Sequence, residues 1–289
     1  MPVRRGFPRA RLAESTARLL GNKLALVGLV ISAVVVGLIL LAPILAPYRP
    51  DAIDYRALLQ APSAAHPLGA DDLGRDVLTR TLYGGRLSLA VSLTSVLLAV
   101  AVGVPLGLLA GYVGGATDEI LMRLVDSLMA LPSLVLALTI TAVLGPGLVN
   151  AMFAIAVVGL PAITRLVRGQ VLTIKHNDYV LAARSVGVRP AVLVMRHIMP
   201  NVLGPVLVQA ALGIGFAIIT ESSVSFLGLG AQPPTATWGS MVQVGFQYLE
   251  TAPWIALAPA AMIFVAVLGF NLLGEGLRGS LDPTSRSAT

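Results

Sequence analysis

Long apolar runs without a charged residue dominate this chain of 289 residues. One run covers residues 24–46 and another covers residues 87–113. An α-helix rises about 1.5 Å per residue, so roughly twenty apolar residues cross a hydrocarbon core of about 30 Å. Membrane barrels require short strands of alternating polarity, which these continuous runs do not contain. The chain is therefore predicted to be an all-α integral membrane protein.

The composition agrees with this prediction, because only 12% of the residues are charged, whereas a soluble domain has about a quarter. The net charge of +6 is explained by basic membrane flanks and indicates no nucleic acid partner. The chain contains no cysteine, which excludes disulfides and thiolate metal sites. No Ser/His/Asp set, catalytic carboxylate pair or zinc motif occurs at a meaningful spacing. We therefore expect neither a catalytic centre nor a metal site in this chain.

Six membrane crossings are predicted from the positions of the apolar runs. Residues 127–164 are uncharged but too many for one helix, and Gly145-Pro146-Gly147 favours a turn between two helices. The predicted crossings are 24–46, 87–113, 121–144, 148–168, 200–222 and 253–274. The remaining divisions are an N-terminal tail (1–23), an extracytoplasmic segment (47–86), a five-helix core (87–275) that includes a cytoplasmic loop (169–199), and a C-terminal tail (276–289).

The distribution of Lys and Arg predicts that both termini are cytoplasmic. Positive charge near the membrane resists translocation, and residues 1–23 are rich in arginine. With that tail inside, the six basic residues of the segment 165–196 also fall inside, after the fourth crossing. Residues 223–252, which have no Lys or Arg, then fall outside. A cleaved signal peptide is the alternative for the first run, but its apolar region usually has only about 7–15 residues, so we favour an uncleaved anchor.

The loop between the fourth and fifth crossings has its own folding signals. Its sequence is KHNDYVLAARSVGVRPAVLVMRHIMPN, residues 175–201. Asn177 or Asp178 can cap a short helix, and Gly187 can end it in the left-handed conformation. Pro190 and Pro200 each suit the first turn of a further helix. The loop is therefore predicted to be a folded helix–turn–helix.

The small side chains of Ala182 and Ala183 would let another protein surface approach this helix closely. The alternative is an amphipathic helix on the lipid headgroups, for which Arg184, Arg189 and Arg196 would suit anionic lipid. The residues themselves leave both interpretations open.

The loop resembles the EAA loop of ATP-binding-cassette importer permeases, written E-A-A-x3-G-x9-I-x-L-P. Four residues match in register, namely Ala182, Ala183, Gly187 and Pro200. Leu181 replaces the usual Glu, His197 the Ile and Met199 the Leu, so an ionic contact through the Glu is not expected, whereas docking by shape is retained. The candidate residues for coupling to an ATPase are Tyr179, Leu181, Ala182, Ala183, Arg184, Gly187, His197 and Pro200.

Three further stretches narrow the resemblance. They are NKLALVGLVISAVVVGLILLAPILAPY at 22–48, HPLGADDLGRDVLTRTLYGGRLSL at 66–89, and ITESSVSFLGLGAQPPTATWGSMV at 219–242. Together with the loop, they resemble the C-type permease subunit of dipeptide, oligopeptide and nickel importers. The resemblance implies the type I importer permease fold and a multi-pass subunit of the bacterial inner membrane. The implied cargo is di- or oligopeptides, with nickel or another small solute as the alternative.

The resemblance also implies partners. They are a homologous B-type permease, two ATPase subunits or one fused ATPase chain, an external substrate-binding protein and the lipid membrane. The chain itself has no G-x-x-x-x-G-K-[ST] phosphate loop. ATP and Mg are therefore expected on the partner ATPases, no cofactor is expected on this chain, and it is predicted not to be an enzyme.

Three glycines and two acids stand out within the crossings. Gly103, Gly107 and Gly111 recur every four residues, which favours close helix packing, within the chain or at a subunit seam, over lining of the transport path. Asp126 lies near Arg123 and either pairs at the interface or faces the pore. Glu221 either faces the pore or makes structural hydrogen bonds.

Outside the membrane, two groups of residues invite interpretation. Trp238 is expected in an interfacial helix at headgroup level. The acids of the segment 66–76 are expected in an exposed loop, where helix capping explains them better than a metal site does.

Overall fold

The computed structural model describes residues 22–281. The helices within this range are α1 (Lys23–Leu40), α2 (Ala42–Leu45), α3 (Val77–Val113), α4 (Gly115–Met129), α5 (Ser133–Leu144), α6 (Leu148–Ile174), α7 (Asp178–Ser185), α8 (Pro190–Leu193), α9 (Met199–Phe226), α10 (Trp238–Phe246) and α11 (Trp254–Leu281). A π-helical turn, Val194–Ile198, joins α8 to α9. The tails predicted at 1–23 and 276–289 lie largely outside the described residues.

Five helical stretches are long and apolar enough to cross a membrane. They are Lys23–Leu40, Val77–Val113, Leu148–Ile174, Pro190–Phe226 and Trp254–Ser280. The sixth candidate is the pair formed by α4 and α5, which meet at an angle of 90°. The all-α membrane fold is therefore confirmed, with six crossings if the bent pair counts as one.

The prediction of a single continuous helix at 121–144 is wrong. Residues 130–132 interrupt it, and the break coincides with Pro132, which adopts an extended conformation before α5. Proline lacks the N–H group that a helix interior requires, and it disfavours helical geometry in the preceding residue. Each of the two resulting helices is too short to cross about 30 Å alone.

The other helices mostly extend beyond the apolar runs that predicted them. The helix expected from residue 87 begins at Val77, because Asp76 caps it by accepting a hydrogen bond from the Thr79 amide at 2.7 Å. The run at 24–46 is instead divided at Leu41 between α1 and α2. An apolar run identifies only the part of a helix that faces lipid. A polar extension of the same helix is therefore not predicted from hydropathy.

The helices alternate in direction and define two ends of the bundle. The loop end holds residues 175–198, where the Lys175 ammonium donates a hydrogen bond to the carbonyl of Gly111 at 2.9 Å. The far end holds residues 46–76 and 227–253, where the Trp254 indole N–H donates to the Ala70 carbonyl at 3.1 Å.

The far-end segment 46–76 has a polar core of its own. Asp71 accepts a hydrogen bond from Arg75 at 2.7 Å, and Arg80 lies 3.4 Å from the same carboxylate. His66 Nδ1 lies 3.0 Å from the Asp76 carboxylate. The expectation of an exposed loop is wrong, since His66, Asp71 and Asp76 are at most 5% exposed. The capping role expected for the acids is confirmed at Asp76.

A candidate coupling loop and a cavity between the crossing helices

The helix α7 has well-defined ends. Asn177 precedes it in an extended conformation, and its carbonyl accepts hydrogen bonds from the amides of Val180 and Leu181. At the other end Gly187 has φ +77°, its amide donates to the Arg184 carbonyl, and the Val188 amide donates to the Ala183 carbonyl. This is the hydrogen-bond pattern of a Schellman motif, which requires a left-handed residue at the position of Gly187. The helix predicted from local sequence signals is therefore present.

One face of α7 is anchored in an apolar cluster at the loop end. Val180 is 2% exposed, and Ala183 and Val188 pack beside it. The cluster continues into α3, α6 and α9, for example at Leu108, Val171 and Val202, and it includes Leu193 and Ile198 of the connection to α9. Val180 therefore ties α7 to an apolar cluster that it shares with residues of all three crossing helices.

The opposite face of α7 is exposed and largely apolar. Tyr179 is 45% exposed, Leu181 42% and Val186 80%, and Ala182 lies between them. The alanine pair is thus divided, since Ala183 faces the core and Ala182 faces outward. An exposed apolar patch beyond the ends of the crossing helices is typical of a protein interaction site.

The remaining loop residues lie where the loop joins α9. Pro200 occupies the first turn of α9 and is exposed, and Arg184 is exposed at the end of α7. His197 is half-buried in the π-helical turn, and its Nδ1 has no hydrogen-bond partner among the described residues. The Asn201 amide donates to the Tyr179 hydroxyl at 3.3 Å, which links α7 to α9.

The three glycines of α3 lie against α6 of the same chain. A Cβ at Gly107 would lie 2.6 Å from the carbonyl oxygen of Thr164 and from Cβ of Val167. Gly103 and Gly111 make equivalent approaches to Ile163 and Val171. Small residues at this spacing let two helix backbones approach closely, and here they join α3 to α6.

Ion pairs tie α4 to α6 near the loop end. Asp118 accepts two hydrogen bonds from the Arg168 guanidinium, one of them at 2.6 Å. Asp126 pairs with Arg165 and is largely exposed, whereas Arg123 pairs with Glu119 at 2.7 Å. The sequence neighbour Arg123 is therefore not the partner of Asp126, because a residue on α6 lies closer in space. Sequence reasoning did not select Asp118.

Glu221 is fully buried where α9 meets α3 and α10. Its Oε1 accepts a hydrogen bond from the Ser225 hydroxyl at 2.7 Å, and its Oε2 has no partner among the described residues. The Ser88 hydroxyl nearby accepts a hydrogen bond from the backbone amide of Trp238 at 3.1 Å. Trp238 is fully buried and its indole N–H donates to the Thr81 carbonyl at 2.9 Å, so its side chain packs within the protein.

A cavity of about 350 Å³ lies between α3, α5, α6 and α9. Its walls are mostly apolar, with polar groups from Ser95, Ser133 and Gln209. Gln209 is half-buried near the middle of α9, and its amide has no hydrogen-bond partner within residues 22–281. Neither Asp126 nor Glu221 lines this cavity. Sequence reasoning missed Gln209 because it considered only charged residues inside the apolar runs.

Helices long enough to cross a membrane surround a cavity, and a folded loop is anchored at one end of them, which is the arrangement expected of a membrane subunit of a transporter. The chain belongs to the family described as "Binding-protein-dependent transport system inner membrane component", whose family model matches residues 103–287. A second model, the N-terminal TM domain of oligopeptide transport permease C, matches residues 11–62. These matches confirm the resemblance to C-type permeases. ATPase activity in this family resides in separate subunits, so the chain is a permease and not an enzyme.

Individual relatives cover nearly the whole chain. The dipeptide transport system permease protein DppC of Alkalihalophilus pseudofirmus is 43% identical over 95% of this chain and 90% of its own length. The glutathione transport system permease protein GsiD of Pectobacterium atrosepticum is 46% identical over 81% of this chain and 78% of its own length. A chain from inward-facing structures of the MetNI methionine ABC transporter is 19% identical, with a TM-score of 0.56 over 70% of this chain and 97% of that one. This last likeness shows the fold.

Proposed function

We propose that this chain forms one half of the pore of an ATP-driven, binding-protein-dependent importer of di- and oligopeptides. The observation that carries the proposal is the double-sided helix α7, with Val180 buried among the crossing helices and Leu181 and Ala182 exposed to a partner. Such a helix can receive a movement from outside the chain and transmit it into the membrane.

The loop end is assigned to the cytoplasm of a bacterial cell and the far end to the outside of the inner membrane. The assignment rests on the basic residues of the segment 165–196, since positive charge in short loops stays cytoplasmic. Exposed Arg184 and Arg196 point to the same side. Both termini are then cytoplasmic, because α1 begins and α11 ends at the loop end, where Asn22 donates a hydrogen bond to the Gly276 carbonyl at 3.4 Å.

The assembly contains four kinds of partner. A B-type permease faces the cavity and completes the pore, and two ATPases, or one fused chain, hold α7 from the cytoplasmic side. These ATPases bind ATP and Mg, and this chain binds no cofactor. An external binding protein delivers cargo at the far end, where residues 46–76 and 227–253 form the exposed surface. The fourth partner is the lipid around the crossings.

Alternating access follows from the packing of α7. Closure of the ATPases on ATP moves the exposed apolar face of α7, and the cluster around Val180 carries the displacement into α3, α6 and α9. These helices form three of the four cavity walls, so the cavity changes its access from one side to the other. Gly187 ends α7 and allows the chain to turn towards α8.

Peptide cargo is supported by the relatives, whose names specify dipeptide and glutathione. It is also supported by the cavity, where the free amide of Gln209 offers one donor and one acceptor to a peptide group within apolar walls. Gln209→Leu should lower peptide uptake while the ATPases still assemble with the permease.

Reconstitution in liposomes tests the coupling role. The chain is co-expressed with its permease and ATPase partners, and peptide-stimulated ATP hydrolysis and uptake are measured with the binding protein present. Ala182→Trp should abolish both activities, because a bulky side chain on the exposed face blocks docking. Ala182→Ser, which keeps a small side chain at the same position, is the matched control and should retain both activities. Normal coupling in Ala182→Trp would refute the role assigned to α7.

A further inference from the structure

We propose that the outer surface of this subunit holds a structural phospholipid, with an acyl chain in a groove beside α1 and α3 and its phosphate on Arg86. The proposal goes beyond the transport role and requires only that the helices cross a membrane. The orientation proposed above places the site in the outer leaflet.

The groove is open at the side of the bundle and has a volume of about 500 Å³. This is within the usual range of about 300–1,000 Å³ for small-ligand sites. Its walls come from four helices, represented by Val36 on α1, Leu93 on α3, Ile214 on α9 and Phe270 on α11. Arg86 is the single polar residue among those that line it. The shape and the chemistry of the walls suit a hydrocarbon chain.

Arg86 lies at the depth of the headgroups. Its position on α3 is 25 residues before Gly111, whose carbonyl binds the Lys175 ammonium at the loop end. At about 1.5 Å per residue this corresponds to roughly 37 Å along the helix. A hydrocarbon core is about 30 Å thick and about 40–45 Å with its polar layers. Arg86 therefore lies in the polar layer of the far side when Gly111 lies in that of the near side.

The guanidinium of Arg86 is available for an anion. Arg86 is exposed, and no carboxylate among residues 22–281 forms an ion pair with it. Asp51, which lines a separate pocket together with Arg86, pairs with Arg49 at 4.0 Å. The ring of Tyr83 lies 5.8 Å from the guanidinium carbon of Arg86.

A phospholipid satisfies the charge and the groove together. The planar guanidinium can donate two parallel hydrogen bonds to phosphate oxygens. The groove continues from Arg86 towards the middle of the membrane, which is the course of an acyl chain attached to that phosphate. A phospholipid supplies an anion and an acyl chain in one molecule, whereas an apolar partner helix would leave the guanidinium without an anion, so the charge favours lipid.

Photo-crosslinking tests the site in the assembled transporter. The complex is reconstituted in phosphatidylethanolamine liposomes containing phosphatidylglycerol with a photoreactive acyl chain, and labelled peptides are mapped by mass spectrometry. We expect labelling in residues 36–40 and 86–93 of the wild-type chain. Arg86→Gln should lower the labelling roughly tenfold, since the charge-assisted hydrogen bonds to the phosphate are lost. Arg49→Gln, also an exposed arginine at the far end, should leave it unchanged.

A second variant separates the groove from the charge. Ala90 is exposed and lines the groove, so Ala90→Phe can fill it without disturbing the helix packing, and it should lower labelling while Arg86 is retained. Assembly of each complex is checked by size-exclusion chromatography. Labelling that persists in both variants would overturn the proposal. A crosslink to the partner permease from a photoreactive amino acid introduced at position 90 would overturn it too, because a protein helix would then occupy the groove.

Discussion

Shortening Val180 to alanine tests whether α7 drives the crossing helices through its buried face. Val180 is 2% exposed within the apolar cluster at the loop end, and the substitution removes two methyl groups from it. At about 0.8 kcal/mol per buried carbon, the attachment of α7 weakens by about 1.6 kcal/mol. The population in which α7 is locally detached should then rise roughly 15-fold, since 1.4 kcal/mol corresponds to a factor of ten.

Hydrogen exchange of the α7 amides in lipid nanodiscs measures this population directly. We expect the exchange to accelerate by about that factor in Val180→Ala. Peptide uptake per ATP hydrolysed should fall, because a detached α7 moves without moving the crossing helices. For the exchange measurement Val186→Ala is the matched control, since it removes the same two carbons from a side chain that is 80% exposed at the end of the same helix. Equal exchange in the two variants, or full uptake per ATP in Val180→Ala, would refute the reasoning.

Three further substitutions test other contacts. Gly107→Ala should lower the free energy of unfolding of the complex by about 1–3 kcal/mol, because the new Cβ would lie 2.6 Å from atoms of α6. Gly169 has open space around it, so Gly169→Ala should not lower it. Gly187→Val should destabilise the C-terminal end of α7 by about 1–2 kcal/mol and reduce coupled uptake. Gly187→Asn should reduce uptake less, because asparagine tolerates φ +77° better. Equal uptake in the two variants would argue against backbone strain. Arg168→Gln should destabilise the complex by leaving the Asp118 carboxylate without its partner, and the added change Asp118→Asn should restore part of the melting temperature; a double variant no more stable than the single one would count against this pairing.

Much of the fold could be predicted from residues close together in the sequence. The apolar runs identified the crossings, since crossing a membrane depends on length and polarity alone. The ends of α7 could be predicted from Asn177 and Gly187 for a similar reason, because capping involves groups only a few residues apart. The break at Pro132 carried a local signal too, but it was missed because the run around it is uncharged.

The candidate site was predicted less completely than the crossings. The loop 175–201 was identified by its order of Ala182, Ala183 and Gly187, yet the sequence did not show that the two alanines face opposite ways. The residues proposed for the pore, Asp126 and Glu221, were chosen for their charge. The structure places them outside the cavity between α3, α5, α6 and α9 and brings Gln209 into it, because the position of a side chain around a helix is set by the neighbouring helices.

The sequence by itself determined that this chain crosses a membrane repeatedly, which segments do so, and where the helix α7 of the loop starts and ends. Each of these properties depends on interactions among residues of a single helix or its flanking turns. Only the tertiary structure decided that Asp126 meets Arg165, that Asp118 meets Arg168, and that α3 lies on α6 through Gly107. These contacts join residues 39 to 60 positions apart, and their distances depend on how whole helices pack, which no local pattern encodes.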